Sequence, residues 1–325
     1  MDKRISVVIL NWNGRGMMEK FLPSVVECSP SGEAEVIVVD NGSTDDSVEW
    51  LKTQYPQVRL IEFPENYGFA GGYDRAIRMI DAEYILLLNS DVEVTPGWFE
   101  PLVSFMDANP DAGAVQPKIR AFRNREYFEH AGAAGGLLDS LGYPYCRGRV
   151  MSKVEKDEGQ YDSPEPVEIT WASGAAMLVR RKAYLEAGGL DAGFFAHMEE
   201  IDLCWRMMLK GYKIFAVTES TVFHYGGGAL PYGNPRKTYL NFRNGLLMLH
   251  KNLPEKVGRK VLFRRRLVDS VGFFFFILKG KFKDARAVLK AHNDFKKLKK
   301  QYTAFPTQNL LGTIPGSDKS IFFVK

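Results

Sequence analysis

Four short apolar segments alternate with segments of helical spacing in the first third of the chain, and this alternation restricts the fold more than any other feature. The segments are rich in β-branched and aliphatic residues, as strands buried on both faces are. Strands that alternate with helices form parallel sheets with helices on both faces. We therefore predict an α/β fold with a mostly parallel sheet, whose strands include residues 5–10, 35–39, 58–62 and 84–88.

Turn residues and spacing predict the other elements. Ser43 or Thr44 is expected to start one helix, and Thr95 to cap another that has Pro96 at its first position. Residues 121–166 lack periodicity, which indicates an insertion of loops and short strands at the rim of a site. Further on we predict a strand or strand pair within 168–179, helices at 181–187, 199–210 and 239–250, a strand at 212–217, and a glycine-rich hinge or lid at 225–233.

The composition is that of a folded protein from a reducing compartment. The 325 residues are 45% hydrophobic and 25% charged, as in ordinary globular proteins. The cysteines, Cys28, Cys146 and Cys204, are too few and too widely spaced for a disulfide framework or a zinc motif. The N-terminal apolar run stops at Leu10, too early for a signal peptide or a membrane span. These features predict a cytoplasmic protein.

Charge is distributed unevenly along the chain. Residues 251–325 contain 18 Lys and Arg against five Asp and Glu, a net charge of +13, whereas the whole chain carries +4. A segment of such different charge is predicted to have a function of its own. We therefore divide the chain into a main domain, residues 1–230, and a basic helical appendage, residues 231–325.

One predicted strand runs directly into Asn89, Ser90 and Asp91, and no nearby residue in the sequence provides a cation for Asp91. Ligands of open α/β sheets bind at the carboxyl ends of the strands. A carboxylate there suits Mg²⁺ or Mn²⁺, which commonly connect protein carboxylates with substrate phosphates. Because Asn, Ser and Asp are also common in turns, the alternative is that Asp91 only caps a turn.

Several short motifs in a fixed order carry a resemblance to a known family. They occupy residues 7–13, 38–45, 66–72, 88–91, 171–174, 198–206 and 222–224. Together they resemble the inverting family-2 nucleotide-sugar glycosyltransferases, over about residues 4–250. The resemblance implies a glycosyltransferase A-type, Rossmann-like fold with a nucleotide-sugar donor and a divalent cation, Mg²⁺ or Mn²⁺.

The resemblance also implies which residues bind the donor. Asp40 would accept a hydrogen bond from a pyrimidine base, and Asn11 and Asn13 would form the other wall of the base pocket. Residues 66–72 would form a loop over the donor, in which small residues let backbone N–H groups and a helix N-terminus approach the pyrophosphate. The alternative for residues 41–43 is a simple turn into a helix. The full set implied is Asn11, Asn13, Asp40, Asn66, Gly71, Gly72, Asn89, Ser90, Trp171 and Gly174.

The implied metal ligands are Asp91 and His224, since Asn89 stands where the family often has a further aspartate. Inverting transfer also needs a base that takes the proton of the acceptor hydroxyl as it attacks the anomeric carbon. Glu200 stands where the family usually has its base aspartate, and Glu199 and Asp202 remain alternatives. The structural alternative for all three is an acidic first turn favoured by the helix dipole.

The basic appendage suggests a contact with membranes. Arg243 and Asn244 resemble a feature that follows the catalytic domain in bacterial members acting on lipid-linked glycans. Residues 264–266 are three arginines, and the apolar run 267–278 that follows contains four consecutive phenylalanines but is too short to span a bilayer. Such a segment either lies on an anionic membrane surface or packs on the catalytic domain with its lysines in water. Nucleic acid is not expected, because no nucleic-acid-binding motif is recognised.

The predicted function is metal-dependent, inverting transfer of a sugar from a nucleotide-sugar donor to a hydroxyl of a lipid-linked bacterial surface glycan, with rhamnosyl transfer in O-antigen or capsule synthesis as the leading choice. It would occur at the inner face of the cytoplasmic membrane. A sugar-phosphate nucleotidyltransferase is the first alternative, but it should have a glycine-rich basic loop after the first strand, which residues 11–14 do not form. A catalytically silent glycan-binding or assembly subunit is the second, but it should lack Asp91, Glu200 and His224.

Overall fold

The structure is a computed structural model that describes residues 4–29, 32, 34–226 and 234–322. Its first part alternates strands and helices, and all four predicted strands are confirmed within two residues at each end. The strands are β1 (Ile5–Asn11), β2 (Ala34–Asn41), β3 (Arg59–Phe63) and β4 (Tyr84–Asn89). The helices are α1 (Arg15–Cys28), α2 (Ser47–Gln54) and α3 (Gly68–Met79).

The middle of the chain completes the sheet and adds the predicted insertion. The elements before the insertion are β5 (Val92–Val94), α4 (Glu100–Ala108) and β6 (Ala112–Ala121). The insertion forms a small antiparallel sheet of β7 (Gly136–Leu138), β8 (Pro144–Cys146), β9 (Arg149–Val150) and β10 (Lys153–Val154). It is followed by β11 (Val167–Ile169), β12 (Ala176–Arg180), α5 (Arg181–Glu186), α6 (Glu199–Leu209) and β13 (Lys213–His224).

The large sheet has the strand order β11-β13-β6-β12-β4-β1-β2-β3, and β5 pairs with β13. Strands β3, β2, β1 and β4 are mutually parallel, and β6 is parallel to β13. Strand β12 lies between these two parallel parts and is antiparallel to both neighbours. Successive strand residues face opposite cores: Val8 packs with α3, whereas Val7 packs with α1. The predicted α/β sheet with helices on both faces is therefore confirmed.

The register of the strands brings several strand ends to one edge. Asn11 at the end of β1 pairs with Asp40 on β2. His224 at the end of β13 pairs with Val92, next to Asp91. Since β12 is antiparallel to β4, its first residue, Ala176, also lies at this edge. The residues that precede β12 therefore meet the carboxyl ends of the parallel strands.

Three long helices follow: α7 (Pro235–Asn252), α8 (Glu255–Leu278) and α9 (Phe282–Leu298). Helix α7 shares the core that contains α3 and α6. The predicted hinge at 225–233 lies outside the described residues from 227 onward, and so does the predicted domain boundary after residue 230. Among the described residues, no helix combines the length and the apolar character of a membrane span.

Two predicted helix starts are wrong. Helix α2 begins at Ser47 and α4 at Glu100, each a few residues later than predicted. The polar residues expected to cap these helices bind neighbouring strands and loops instead. The backbone N–H of Thr44 donates to Oδ1 of Asn13 at 2.7 Å, and Oγ1 of Thr95 donates to the carbonyl oxygen of Thr221 at 2.9 Å.

Candidate active site

A buried row of three polar side chains lies at the carboxyl edge of the sheet. Nε2 of His224 is 3.1 Å from Oδ1 of Asp91, and Nδ1 of the same ring is 3.4 Å from Oε2 of Glu129. All three residues are buried. The structure thus brings together the two predicted metal ligands, and it adds a carboxylate from the insertion that the sequence did not predict.

Each member of this row stabilises the charge of the next. Burial opposes a charged imidazole, but the charges of Asp91 and Glu129 outweigh burial and raise the pKa of His224 to about 10. Burial also opposes the carboxylate of Glu129, yet the hydrogen bond and charge of His224 lower its pKa to about 2. The pKa of Asp91 is lowered by His224 in the same way, against the effect of burial. Two carboxylates therefore flank one imidazole.

Asp91 and His224 are chemically suited to a divalent ion, as one carboxylate oxygen and one imidazole nitrogen that converge at a strand end, provided that the ion displaces the proton of Nε2. Nδ2 of Asn89 lies 3.5 Å from Nε2 of His224 and is the third polar group there. No cluster of three or more His, Cys, Asp or Glu side chains suited to a metal occurs among the described residues. The described residues thus offer two ligands, and an ion could take others from water or substrate oxygens. Glu129, on the far side of the ring, would orient the histidine.

The predicted base-pocket residues form one hydrogen-bonded group. Nδ2 of Asn11 donates to Oδ1 of Asp40 at 3.1 Å and to Oγ of Ser43 at 3.2 Å. The backbone N–H of Asn13 also donates to Oγ of Ser43, at 2.9 Å. Oδ1 of Asn11 is buried and has no hydrogen-bond partner among the described residues. Because a buried acceptor without a partner is costly, this atom is available to a ligand N–H.

Trp12, between the two asparagines, is a further candidate that the sequence analysis did not assign. Its side chain is 53% exposed. Exposed tryptophans offer a flat apolar face on which a planar ring can stack. The signal was present in the sequence as an aromatic residue directly after a buried strand.

The predicted donor loop is shorter than expected. Oδ1 of Asn66 accepts from Nδ2 of Asn41 at 3.0 Å and from the N–H of Gly68, where α3 begins, at 2.8 Å. Gly71 and Gly72 therefore lie within the first five residues of α3 and are buried. A side chain at Gly72 would place Cβ 2.9 Å from Cδ1 of a leucine on β1. The predicted donor segment thus contains a helix N-terminus at Gly68, and its contact with the donor stays a prediction, whereas Gly72 allows α3 to pack closely on β1.

The two ends of the segment 171–174 have different environments. The indole N–H of Trp171 donates to the carbonyl oxygen of Leu137 at 2.9 Å, and the ring is buried in the core. Trp171 therefore joins the insertion to the main sheet, and this position does not support its predicted donor contact. At the other end, a Cβ on Gly174 would lie 3.2 Å from Cζ of Phe69 and 3.9 Å from Cβ of Glu200. Gly174 thus lies beside the predicted base.

Glu199 and Glu200 open helix α6. Oε2 of each is buried without a hydrogen-bond partner among the described residues. Burial raises the pKa of Glu200 to about 7. Burial and the nearby charge of Glu200 raise the pKa of Glu199 well above its usual range. A carboxylate with a pKa near neutrality is suited to general base catalysis.

Asp202 has the environment of a structural residue. Its carboxylate accepts hydrogen bonds from Nε of Arg206 at 2.9 Å, Nζ of Lys251 at 3.0 Å and Nδ2 of Asn252 at 2.8 Å. The last two residues are on α7, so Asp202 fixes α6 to that helix. These contacts favour the structural alternative for Asp202 and leave Glu199 and Glu200 as the base candidates.

The backbone just before α6 is strained. Phe195, His197 and Met198 have φ values of +65°, +69° and +72°, which non-glycine residues rarely adopt. The N–H of Ala196 donates to the carbonyl oxygen of Phe194 at 2.8 Å, closing a tight γ-turn. Strain of this kind persists only where surrounding contacts impose it, and it is commonly found at functional sites.

Arg243 and Asn244 of α7 supply those contacts. Nδ2 of Asn244 lies within hydrogen-bond distance of the carbonyl oxygens of Ala196 and His197, at 2.9 and 2.6 Å. Nη2 of Arg243 donates to the carbonyl oxygen of Phe194 at 2.8 Å. Asn244 is fully buried. The pair therefore holds the segment that leads into Glu199 and Glu200.

Comparison with known families agrees with this geometry. Residues 6–186, more than half of the chain, match the model of glycosyl transferase family 2. An N-acetylglucosaminyl-diphospho-decaprenol L-rhamnosyltransferase of Mycobacterium tuberculosis is 29% identical over 240 residues, which cover 69% of this chain and 77% of the relative.

Two solved structures share the fold. A structure of GalNAc-T7 with UDP, GalNAc and Mn²⁺ has a TM-score of 0.60 at 18% identity, covering 77% of this chain and 48% of that chain. The mannosyltransferase PcManGT from Pyrobaculum calidifontis, in complex with GDP-Man and Mn²⁺, has a TM-score of 0.55 at 14% identity, covering 93% of this chain and 79% of that chain. The chain therefore belongs to glycosyl transferase family 2 and is a glycosyltransferase with the glycosyltransferase A-type fold.

Proposed function

We propose that the protein transfers a sugar from a nucleotide-sugar donor to a hydroxyl of a lipid-linked bacterial surface glycan, with inversion at the anomeric carbon and with a divalent ion, Mg²⁺ or Mn²⁺. The observation that carries the proposal is the meeting of two groups at one sheet edge. Asp91 and His224 lie at the strand ends, and Glu200 reaches the same edge from α6. Gly174 is beside Glu200, and its neighbour Ala175 accepts a 3.0 Å hydrogen bond from the N–H of Asn89.

The donor would bind across the ends of β1, β2 and β4. Asn11, Asn13 and Asp40 would hold the base and nucleoside, with the unpaired Oδ1 of Asn11 as one acceptor. Asp91 and His224 would hold the ion, which supplies positive charge to the leaving nucleoside diphosphate. Asn89 and Ser90, at the end of β4, would contact the diphosphate or the sugar. Asn66 would act indirectly, by shaping the start of α3.

We assign the base to Glu200 and a supporting role to Glu199. Burial raises the pKa of Glu200 to about 7, and its side chain lies against Gly174, next to the sheet edge where the donor would bind. Glu199 is more deeply buried, and burial together with the charge of Glu200 raises its pKa, so the two neighbouring carboxyls resist carrying two negative charges at once. In this arrangement one carboxylate takes the proton from the acceptor, and the neighbouring carboxyl avoids a second negative charge.

Rhamnose is the proposed sugar, and the proposed acceptor is a polyprenyl-diphosphate-linked sugar of an O-antigen or capsule pathway. Support comes from the Mycobacterium tuberculosis relative, whose name gives both a rhamnosyl group and a diphospho-decaprenol acceptor. The anionic membrane surface, the other proposed partner, is supported by an exposed face of the C-terminal helices. We place the enzyme at the inner face of the cytoplasmic membrane on this basis.

A screen of nucleotide sugars tests the proposal. The purified chain is titrated with a panel that includes dTDP-rhamnose, UDP sugars and GDP-mannose, each with Mn²⁺, with Mg²⁺ and with a chelator. We expect one donor to bind much more tightly with the ion than with the chelator, and to yield its nucleoside diphosphate with a lipid-linked acceptor. Binding of no nucleotide sugar under any of these conditions would contradict the proposal.

A further inference from the structure

Helix α8 buries one face and exposes large apolar side chains on the opposite face. The buried face packs on the protein through residues that include Val261, Leu262, Arg265 and Asp269. The other face carries large hydrophobic side chains that are exposed. A contiguous apolar patch that is exposed normally marks a site of contact with a partner or a membrane. The exposed face of α8 is therefore a candidate contact surface.

The exposed apolar residues form a continuous stripe, here called the α8 ridge. Eight of the thirteen exposed large hydrophobic side chains in the described part of the chain belong to α8 and α9, so exposure is concentrated there. Residues three or four apart lie on one side of a helix, which aligns the ridge along α8. Its members are Phe263, Leu267, Val271, Phe274, Phe275 and Leu278, and their exposure ranges from 55% for Phe275 to 85% for Leu278.

Cations border the ridge at both ends. Lys256, Lys260 and Arg264 continue the same side of α8 toward its N-terminus, again at spacings of four. At the other end Lys279, Lys281 and Lys283 surround Phe282, which is also exposed. None of these six cations has an ion-pair partner among the side chains that the structure describes. The surface is thus apolar along its middle and positively charged at its ends.

Arg265 does not belong to this surface, although it lies within the arginine run. Its Nε donates to Oδ1 of Asp269 at 3.1 Å, and its guanidinium stacks 3.4 Å from the ring centroid of Tyr143 in the insertion. Nε2 of His292 on α9 lies 3.0 Å from Oδ2 of Asp269. These contacts fix which side of α8 faces the protein and leave the ridge directed outward.

Helix α8 is separated by one helix from α6, the helix that begins with Glu199 and Glu200. A Cβ on Gly245 of α7 would lie 3.3 Å from Nη2 of Arg265 and 3.7 Å from Cε of Met198, the residue before Glu199. A single helix, α7, therefore separates the buried face of α8 from the start of α6. A surface held by the ridge would lie one helix layer away from the proposed base.

We propose that the α8 ridge docks on a bilayer that contains anionic lipid, with the aromatic residues in the headgroup region and the cations against the lipid phosphates. Charge favours this occupant over a second copy of the chain, because two copies of the ridge would bring unpaired cations of the same sign together. The docking goes beyond the proposed transfer reaction, and it can be measured without donor or acceptor. It would hold the enzyme where a lipid-linked acceptor is presented.

Vesicle flotation of the full chain tests the docking, with neutral phosphatidylcholine vesicles and with vesicles that contain phosphatidylglycerol. The ridge variant Leu267→Ser/Phe274→Ser should lower partitioning by about tenfold or more. The charge variant Lys256→Gln/Lys260→Gln/Arg264→Gln should lower it by about a hundredfold on anionic vesicles, and added salt should act in the same direction. All five positions are exposed, so the melting temperatures should stay near that of the wild type.

Matched controls remove similar groups from other surfaces. Met79→Ser/Tyr127→Ser removes two exposed apolar side chains, and Lys153→Gln/Lys182→Gln/Lys210→Gln removes three exposed cations. Both controls should bind vesicles as the wild type does. Equal binding by the ridge variant and its control would overturn the proposal. So would a wild-type chain that forms a dimer, loses it in the ridge variant and ignores vesicles, since the occupant would then be a second copy.

Discussion

Oε2 of Glu129 lies 3.4 Å from Nδ1 of His224, on the side of the ring opposite Asp91. A carboxylate in this position holds the ring in one orientation, as partners behind metal-binding histidines commonly do. We expect Glu129→Gln to weaken the Mn²⁺ dependence of donor binding by about tenfold to a hundredfold. Titration calorimetry with and without Mn²⁺ measures the effect. Glu126→Gln, an exposed carboxylate of the same loop, is the control and should have no effect.

Asp91→Asn should have a larger effect than the change at Glu129. It keeps the size of the side chain but removes the only carboxylate that faces Nε2 of His224 among the described residues. Metal-dependent donor binding and turnover should both be lost while the fold is kept. Thermal shifts produced by Mn²⁺ provide a second readout that does not depend on activity. Asp81→Asn serves as the surface control, and a normal Mn²⁺ response in Asp91→Asn would remove Asp91 from the site.

Some features of the site could be predicted from the sequence and others could not. The strands were predictable because buried parallel strands are short apolar runs, and Asp91 was predictable because it directly follows one. Glu129 could not be found in this way, since it lies in an aperiodic insertion and reaches His224 only through the pairing of β6 with β13. The predicted starts of α2 and α4 are wrong because Thr44 and Thr95 make long-range hydrogen bonds, which local sequence preferences cannot predict.

In the basic appendage, a helix places residues that are adjacent in the sequence on different sides. The run of three arginines predicts one basic patch, but a helix distributes consecutive residues around its axis. Arg265 is therefore buried against Tyr143, whereas Arg264 and Arg266 are exposed. Replacing all three arginines would damage the packing of α8 as well as its surface. The charge variant that tests membrane docking accordingly leaves Arg265 in place.

Glu200→Gln should separate chemistry from binding. The amide keeps the shape of the side chain but cannot take a proton, so the single-turnover rate should fall by about a hundredfold or more while donor affinity is unchanged. Glu199→Gln is the matched change at the neighbouring position and should retain most of the rate, because we assign the base to Glu200. If Glu199→Gln loses the rate and Glu200→Gln keeps it, the base is Glu199.

The pH dependence of turnover follows from the raised pKa of Glu200. The carboxylate is the active form, and its pKa of about 7 means that acid removes the base. With saturating donor and ion, kcat should rise with pH up to about 7 and fall about tenfold for each unit below it. The same measurement on Glu200→Gln should give a low and flat profile over this limb. A wild-type limb near pH 4.5 would show that burial does not shift this group.

The free energy of unfolding should fall as the pH rises, whereas turnover should increase. Glu199 and Glu200 have pKa values raised above the ordinary 4.5, so the folded state binds their protons more tightly than the unfolded state does. Their contribution to stability is complete below about pH 4.5 and is lost as the pH rises, for Glu200 through about 7. Glu199→Gln should reduce this loss, because the neutral amide has no proton to lose. Chemical denaturation at pH 5 and pH 8 measures the difference, and an equal decline in both proteins would contradict the assignment.

Asn244 is expected to act on the reaction through the backbone before α6. Its amide is fully buried and faces the carbonyl oxygens of Ala196 and His197, in a segment whose φ values are positive. Asn244→Ala should cost about 2 kcal/mol or more of stability, because buried carbonyl groups lose their donors. The released strain should also move Glu200 relative to Gly174, so kcat should fall more than the KM of the donor rises.

Asn241→Ala, on the same helix but only half-buried, is the control for helix propensity and should change neither quantity. A structural role alone would lower the melting temperature of Asn244→Ala and leave kcat unchanged at temperatures where the variant is folded. The kinetic comparison at low temperature therefore separates the two roles. A drop in kcat with unchanged ion-dependent donor binding would place Asn244 behind the base of the reaction, because the Asp91 and His224 site does not depend on the segment that Asn244 holds.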